Sequence, residues 1–206
     1  MSEIDRPAPG EELNFGAETV PRPAASIILV RGRGEALEVL LVQRTPDARF
    51  MGGAWVFPGG AVDSGESEEG AGVRELEEEA GIRVADPGAL VRFSRWITPA
   101  MVKTRYDTHF FVTHLPDGAD PEVDGSEIVD LGWFTPQDAL AAHRAGDLLL
   151  VFPTIKHLEQ LSLFDSADAL LAHARNSVVR PVEPRVVMSG EAARVLLPGE
   201  PGYDED

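Results

Sequence analysis

The sequence contains no cysteine, which excludes disulfides, thiolate metal sites and a cysteine nucleophile together. Positive charge is scarce: 18 Lys and Arg stand against 35 Asp and Glu, for a formal charge of −17. A chain this acidic cannot gain affinity by neutralising phosphates along a polymer, so nucleic acid and anionic membranes are disfavoured as partners. Small phosphorylated molecules stay open, because a bound cation inverts the local charge of an acidic pocket. Long apolar runs are missing too; nothing approaches the roughly 20 residues that a membrane-spanning helix needs. The opening "MSEIDRPAPGEELNFGAETVPRP" has neither a basic start nor an apolar stretch. The expectation is a soluble, cytoplasmic protein whose 206 residues form one sizeable core with extensions.

What is present falls into three stretches. Residues 1–23, rich in Pro and Glu, read as a flexible or loosely docked arm. Residues 24–150 alternate strand and helix patterns. "AASIILV" and "LEVLLVQR" are β-branched and leucine-rich runs joined by the glycines of "RGRGEA", which suits an antiparallel pair. A helix is predicted over 68–80, with Ser67 as N-cap, Glu68 and Glu69 in the first turn and Gly81 as the stop. Gly70 and Gly72 weaken its first turn or let it pack closely on a neighbour. "ALVRFSRWI", "THFFVTHL" and "IVDLGWF" read as strands, with a loop, "DGADPEVDGSE", before the last. From Pro136 the periodicity turns helical, and residues 151–206 read as a helical extension with an acidic, solvated tail. Strands, helix, strands, helices in that order make an α+β fold, an α/β/α sandwich on a mixed sheet with added C-terminal helices.

The predicted helix carries Glu75, Glu78 and Glu79. At 3.6 residues per turn they share an arc of about 100°, opposite an apolar stripe of Val73, Leu76 and Ala80. Carboxylates three and four residues apart repel, so the cluster costs the isolated helix a few tenths of a kcal/mol. A solvated acidic face is the plain reading of such a triplet. Context points elsewhere: the turn "FPGG" lets backbone approach a ligand closely, and Arg74 can hold a carboxylate in bidentate geometry. Hard oxygen donors beside an exposed carbonyl are what Mg²⁺ or Mn²⁺ requires.

These residues also spell a signature. Gly60, five residues, Glu66, seven residues, then Arg74-Glu75-Leu76-x-Glu78-Glu79-x-Gly81-Ile82 resembles the Nudix box at each defined position. The resemblance implies a Nudix-type sandwich. It also implies divalent cations held by Glu75, Glu78, Glu79 and the Gly60 carbonyl, with Glu66 and Arg74 keeping loop and helix in register. The reaction it implies is hydrolysis of a nucleoside diphosphate linked to another moiety. Homodimers are common among such relatives, so a homodimer is one assembly to expect. A module of this kind that only binds nucleotides usually lacks some of the box acids, and here all are present.

The stretch before the box, "LLVQRTPDARFMGGAWVFPGG", is similar to the coenzyme A diphosphatase branch at Leu40, Leu41, Arg44, Arg49, Gly53 and Phe57 to Gly60. It departs at Val42 and Thr45. "WITPAMVKTRYDTHFF" is similar to acyl-CoA diphosphatases. Arg44, Arg49 and Arg105 are the candidates to meet phosphate, since guanidinium pairs with it bidentately; surface ion pairs are the alternative. Phe57 and Trp96 are the aromatic candidates for substrate contact, and Trp55 also flanks the box. Pro99 lies near a marker position of ADP-ribose hydrolases, which keeps that substrate as the alternative. No His in the sequence has a carboxylate at ligand spacing that would add a metal site. A further carboxylate is expected from the loop before "IVDLGWF", and among its acids Glu127 is favoured as an additional metal ligand or base, because it enters the strand and is best anchored. If the resemblance holds, Glu78→Gln keeps the shape, removes a hard anionic donor and lowers turnover by orders of magnitude. A folded variant with near-normal activity at saturating Mg²⁺ would refute the assignment.

Overall fold

A computed structural model describes residues 12–14, 16–32, 36–48, 50–189 and 192–204. In chain order the elements are β1 (Arg22–Arg31), β2 (Glu38–Arg44), β3 (Trp55–Val56), β4 (Gly59–Ala61), α1 (Glu68–Ala80), β5 (Val91–Ile97), β6 (Tyr106–His114) and β7 (Ile128–Phe134). They continue as α2 (Pro136–Ala145), α3 (Phe152–Leu161), α4 (Ala167–Asn176), β8 (Pro181–Val182), β9 (Arg185–Ser189) and β10 (Ala192–Leu196).

The continuous apolar run of β1 is explained by its place. It is buried from Ala24 to Val30 because it lies in the middle of the sheet with a layer on each face. Along one edge β6 runs parallel to it over nearly its whole length. Its other edge divides, pairing with β2 at Val30 and Arg31 and with β4 at Ala24, Ala25 and Ser26. The full path is β3-β2-β1-β6-β5-β8, with β4 on β1 and β7 on β2.

Alternation along the strands sorts the core in two. Ile27, Leu29, Leu40 and Val42 face α1, meeting Ala71, Leu76 and Ala80. Ile28, Val30, Val39 and Leu41 face α2, α3 and α4, meeting Ala139, Leu158, Leu161 and Leu170. The expected sandwich on a mixed sheet is therefore what the chain forms.

The helix bounds match the expectation. The Ser67 hydroxyl accepts from the Gly70 N–H, Gly81, at φ 67°, donates its N–H to the Glu77 carbonyl, and the Ile82 N–H donates to the Leu76 carbonyl. Gly72 packs closely rather than fraying: a Cβ there would lie 2.8 Å from the Ile27 Cδ1. The stripe facing the sheet is accordingly Gly72, Leu76, Glu79 and Ala80, with Val73 only half-buried.

Both chain extremities make tertiary contacts. In the proposed arm, Leu13 bridges Val102, Asn14 donates to the Met101 carbonyl and Lys103 donates to the Glu12 carbonyl. Residues 1–11 lie outside the described ones. The C-terminal extension is not only helical: β8 joins the sheet beside β5, and β9 pairs with β10 as a separate hairpin. The tail docks as well, since the Tyr203 hydroxyl donates to the Glu183 carbonyl and Arg185 to the Tyr203 carbonyl. Valine-rich "RVVMS" and "ARVLL" carry the strand signal for that hairpin. Among the described residues no helix is long and apolar enough to cross a membrane.

His157 is buried among Phe57, Phe93, Trp96 and Phe110. Its Nδ1 lies 2.7 Å from the Pro153 carbonyl and must donate, so the neutral ring's Nε2 accepts from the Ser94 hydroxyl at 2.6 Å. Burial pulls its pKa down to about 4. The unfolded chain takes up this proton near pH 6.5, so the stabilisation is complete above that pH and is lost as pH falls toward 4. Glu79, raised by burial, contributes a slope of opposite sign, so the comparison must be between variants. The stability deficit of His157→Gln at pH 7 should shrink by an amount on the order of 2 kcal/mol at pH 5, read by urea unfolding. A deficit independent of pH would show that the ring is not held neutral.

Candidate active site

The acids gather where α1 crosses the β4 turn. Glu79 is 4% exposed, on the packed side of the helix. Its Oε2 accepts from the Gly59 N–H at 2.9 Å. Burial pushes its carboxyl up to about 8, against the opposing pull of that hydrogen bond and of Arg44. Glu75 is raised by burial too, with Arg74 pulling the other way.

Two glycines make the crossing possible. A Cβ on Gly59 would lie 2.6 Å from the Ser26 Cα, and one on Gly60 would run into the Glu75 carboxylate. The backbone of the "FPGG" turn therefore lies directly beneath a carboxylate, the close approach that the sequence suggested.

Arg74 organises one side. Its Nε and Nη2 bind the two oxygens of Glu66 at 3.2 and 3.1 Å, Nη2 also reaches the Ala61 carbonyl at 3.0 Å, and Nη1 reaches Glu75 at 2.7 Å and Glu78 at 3.2 Å. The hydrogen bonds from Arg74 hold Glu66 below the usual carboxylate range. Loop, strand and helix are thus joined through one guanidinium.

Arg44 organises the other side. It ends β2 at a register shift against β7, where a bulge re-aims a side chain. Its Nη2 lies 2.7 Å from Glu127 and its Nη1 3.8 Å from Glu79. Glu127 is held at the mouth of β7 by Asp124, whose carboxylate accepts from the N–H groups of Ser126, Glu127 and Ile128 at 3.1, 3.0 and 2.7 Å. Asp124 is not among the residues that the sequence analysis singles out. "DGSE" is the signal that identifies it, an Asp two residues before a polar N–H.

These groups line one end of a cleft of about 540 Å³. Of the expected residues, Arg44, Phe57, Gly60, Glu75, Glu78, Trp96 and Glu127 line it, while Glu66, Arg74 and Glu79 are not among its lining residues. Trp55 is core instead, edge-on to Phe134. Arg49 lies outside the described residues. Arg105 does not belong to the site: it is buried, and its guanidinium donates to Glu18, the Thr19 carbonyl, the Thr98 carbonyl and Glu183. A phosphate has no free edge of that group to grip, so its expected substrate role is withdrawn.

Among the described residues no three acidic or histidine side chains converge into an ion cage. Glu75 and Glu78 turn to Arg74, and Glu79 and Glu127 to Arg44. The donor set nevertheless fits a hard cation, being carboxylate oxygen with the Gly60 backbone beside it. The Arg44 Nε is buried without a hydrogen-bond partner among the described residues.

The NUDIX domain family matches residues 20–151. Over 125 residues the chain is 36% identical to an octanoyltransferase from Myxococcus xanthus, a match covering 57% of this chain and 34% of that protein. It is 28% identical over 126 residues to the human acyl-coenzyme A diphosphatase NUDT19, covering 59% of this chain and 34% of that one. The chain thus spans about a third of the length of these two relatives. The crystal structure of a NUDIX hydrolase from Alicyclobacillus acidocaldarius superposes with a TM-score of 0.69 at 25% identity, over 76% of this chain and 97% of that one.

Glu127→Gln should lower kcat more than it raises KM and change the pH–rate profile, whereas Glu122→Gln, in the same loop but away from Arg44, should leave both nearly unchanged. Equal and small effects in steady-state assays would make both acids bystanders.

Proposed function

The chain belongs to the NUDIX domain family, which matches well over half of it, and from that premise we propose that it hydrolyses a nucleoside diphosphate, coenzyme A or an acyl-CoA, to 3′,5′-ADP and (acyl-)4′-phosphopantetheine. The observation that carries the reading is the acid cluster of α1 over the Gly60 backbone, opening on a cleft with Arg44 among its lining residues. The coenzyme A part draws on the motif from Leu40 to Gly60 and on the name of the human relative.

Nudix hydrolases are generally dependent on a divalent metal. Glu75, Glu78, Glu79, Glu127 and the Gly60 carbonyl would hold Mg²⁺ or Mn²⁺ here, which when bound neutralises the diphosphate and acidifies water. The chain's own residues do the rest. Arg44 binds a phosphate oxygen through the Nη groups it now shares with Glu127 and Glu79. Phe57 and Trp96 flank the organic part of the substrate. Glu127, once parted from Arg44, takes the proton as water oxygen bonds to phosphorus, and the electrons of the broken P–O bond leave with the second phosphate. Asp124 keeps Glu127 in place for that transfer. A cytoplasmic setting and a homodimer complete the proposal.

A panel of coenzyme A, octanoyl-CoA, dephospho-CoA and ADP-ribose, incubated with Mg²⁺ and read by mass spectrometry, tests the substrate. Cleavage of the two full CoA species fastest, with dephospho-CoA slower, is expected. Pro99 also lines the cleft, and faster turnover of ADP-ribose than of any CoA species would transfer the assignment to that substrate. Tight binding without cleavage under Mg²⁺ or Mn²⁺ would instead make the chain a nucleotide sensor.

A further inference from the structure

The cleft has two unlike ends. Among the described residues its charged lining side chains are Arg44, Glu75, Glu78 and Glu127, all at the acid cluster. Elsewhere aliphatic side chains dominate one part of the wall: Leu13, Pro99, Val102, Pro184, Val186 and Val195. Of these, Leu13, Pro184, Val186 and Val195 lie outside the stretch that the family matches. Leu13 is brought in by its bridge to Val102. Val186 and Val195 are directly paired across the β9–β10 hairpin.

Arg105 connects these segments. Its side chain is only 2% exposed. The Nε donates to the Thr98 carbonyl at 2.9 Å, next to Pro99, and Nη1 donates to the Thr19 carbonyl at 2.8 Å and to Glu18. The Nη2 donates at 2.6 Å to Glu183, next to Pro184. The main chain adds a bond from the Arg22 N–H to the Arg105 carbonyl at 2.9 Å. One guanidinium therefore holds the N-terminal segment, the β5–β6 connection and the C-terminal segment at fixed relative positions, which its rigid fork of donors suits.

We infer that the two chain extremities, positioned by Arg105, build an aliphatic subsite at the far part of the cleft, and that it selects substrates whose diphosphate carries an aliphatic chain. The inference rests on the proposed diphosphate chemistry for the polar end, and the aliphatic end is continuous with it in one cavity. Branched and cyclic aliphatic side chains with no polar partner to offer give no preference to a sugar or a second base, whereas each methylene of a chain leaves water on entering. Arg105 is a positioning residue in this arrangement, acting through Glu183 and Glu18 without touching the substrate.

The test uses the full chain and alkyl esters of a methylene-bridged ADP analogue, which cannot be cleaved, with Mg²⁺ present and affinity read by calorimetry. From methyl to decyl, affinity should rise by about two- to fourfold per methylene until the cleft is filled. Glu183→Ala, an exposed change that leaves the core intact, should flatten that dependence, and Arg105→Met should do the same. Glu183→Gln, which keeps an oxygen to accept from Arg105, should restore it. Affinity independent of chain length overturns the subsite, whether or not coenzyme A is hydrolysed. A steep dependence that survives in both Glu183→Ala and folded Arg105→Met overturns the part assigned to Arg105. Failure of coenzyme A turnover alone, with the chain-length dependence intact, removes the proposed substrate and leaves the subsite standing.

Discussion

Carboxylates crowded onto one turn of a helix repel one another, and everything at this site follows from how that repulsion is contained. Two guanidiniums contain it. Arg74 spans Glu66, Glu75 and Glu78, while Arg44 lies between Glu79 and Glu127. Each arginine also ties the acid helix to a different element, Arg74 to the β4 turn and Arg44 to β2 and the mouth of β7. Electrostatic containment and mechanical registration are therefore the same set of bonds. Partial burial strengthens both effects, because charges away from water interact more strongly and cannot be left unpaired.

The sheet supplies the platform on which this balance is possible. Because β1 is covered on both faces, α1 can press on it closely enough that Gly72 meets Ile27 and Glu79 is taken out of solvent. The division of β1's second edge between β2 and β4 leaves the β4 glycines free to pass under the helix. The packing face of α1 and its acid face overlap at Glu79, which belongs to both. A carboxyl there is costly to ionise, which explains why it is the acid most strongly displaced from its usual range.

The cleft joins this charged end to an apolar one made from distant parts of the chain. Apolar lining next to a few convergent polar groups is the usual composition of a small-molecule site, with the polar groups orienting the ligand and the apolar wall excluding water. The division of labour follows the fold: the sheet and α1 carry the polar groups, while connections and chain extremities carry much of the aliphatic wall.

What the sequence by itself determined is local. The helix over 68–80, its Ser67 and Gly81 caps, the buried character of β1 and the acid face of α1 all depend on residues within a few positions of one another, where periodicity and capping chemistry suffice. Glu127 could be singled out because its place at a strand entrance is also local. What only the tertiary structure decided involves partners far apart along the chain. Arg105 reads as a phosphate-binding arginine until it meets Glu18 and Glu183, which lie 87 and 78 residues away. The docking of residues 12–14 beside Met101 to Lys103 has no signal strong enough to announce its neighbours. An arginine or a valine run is compatible with many surroundings, and the free energy that chooses among them comes from contacts the chain makes only once it has folded.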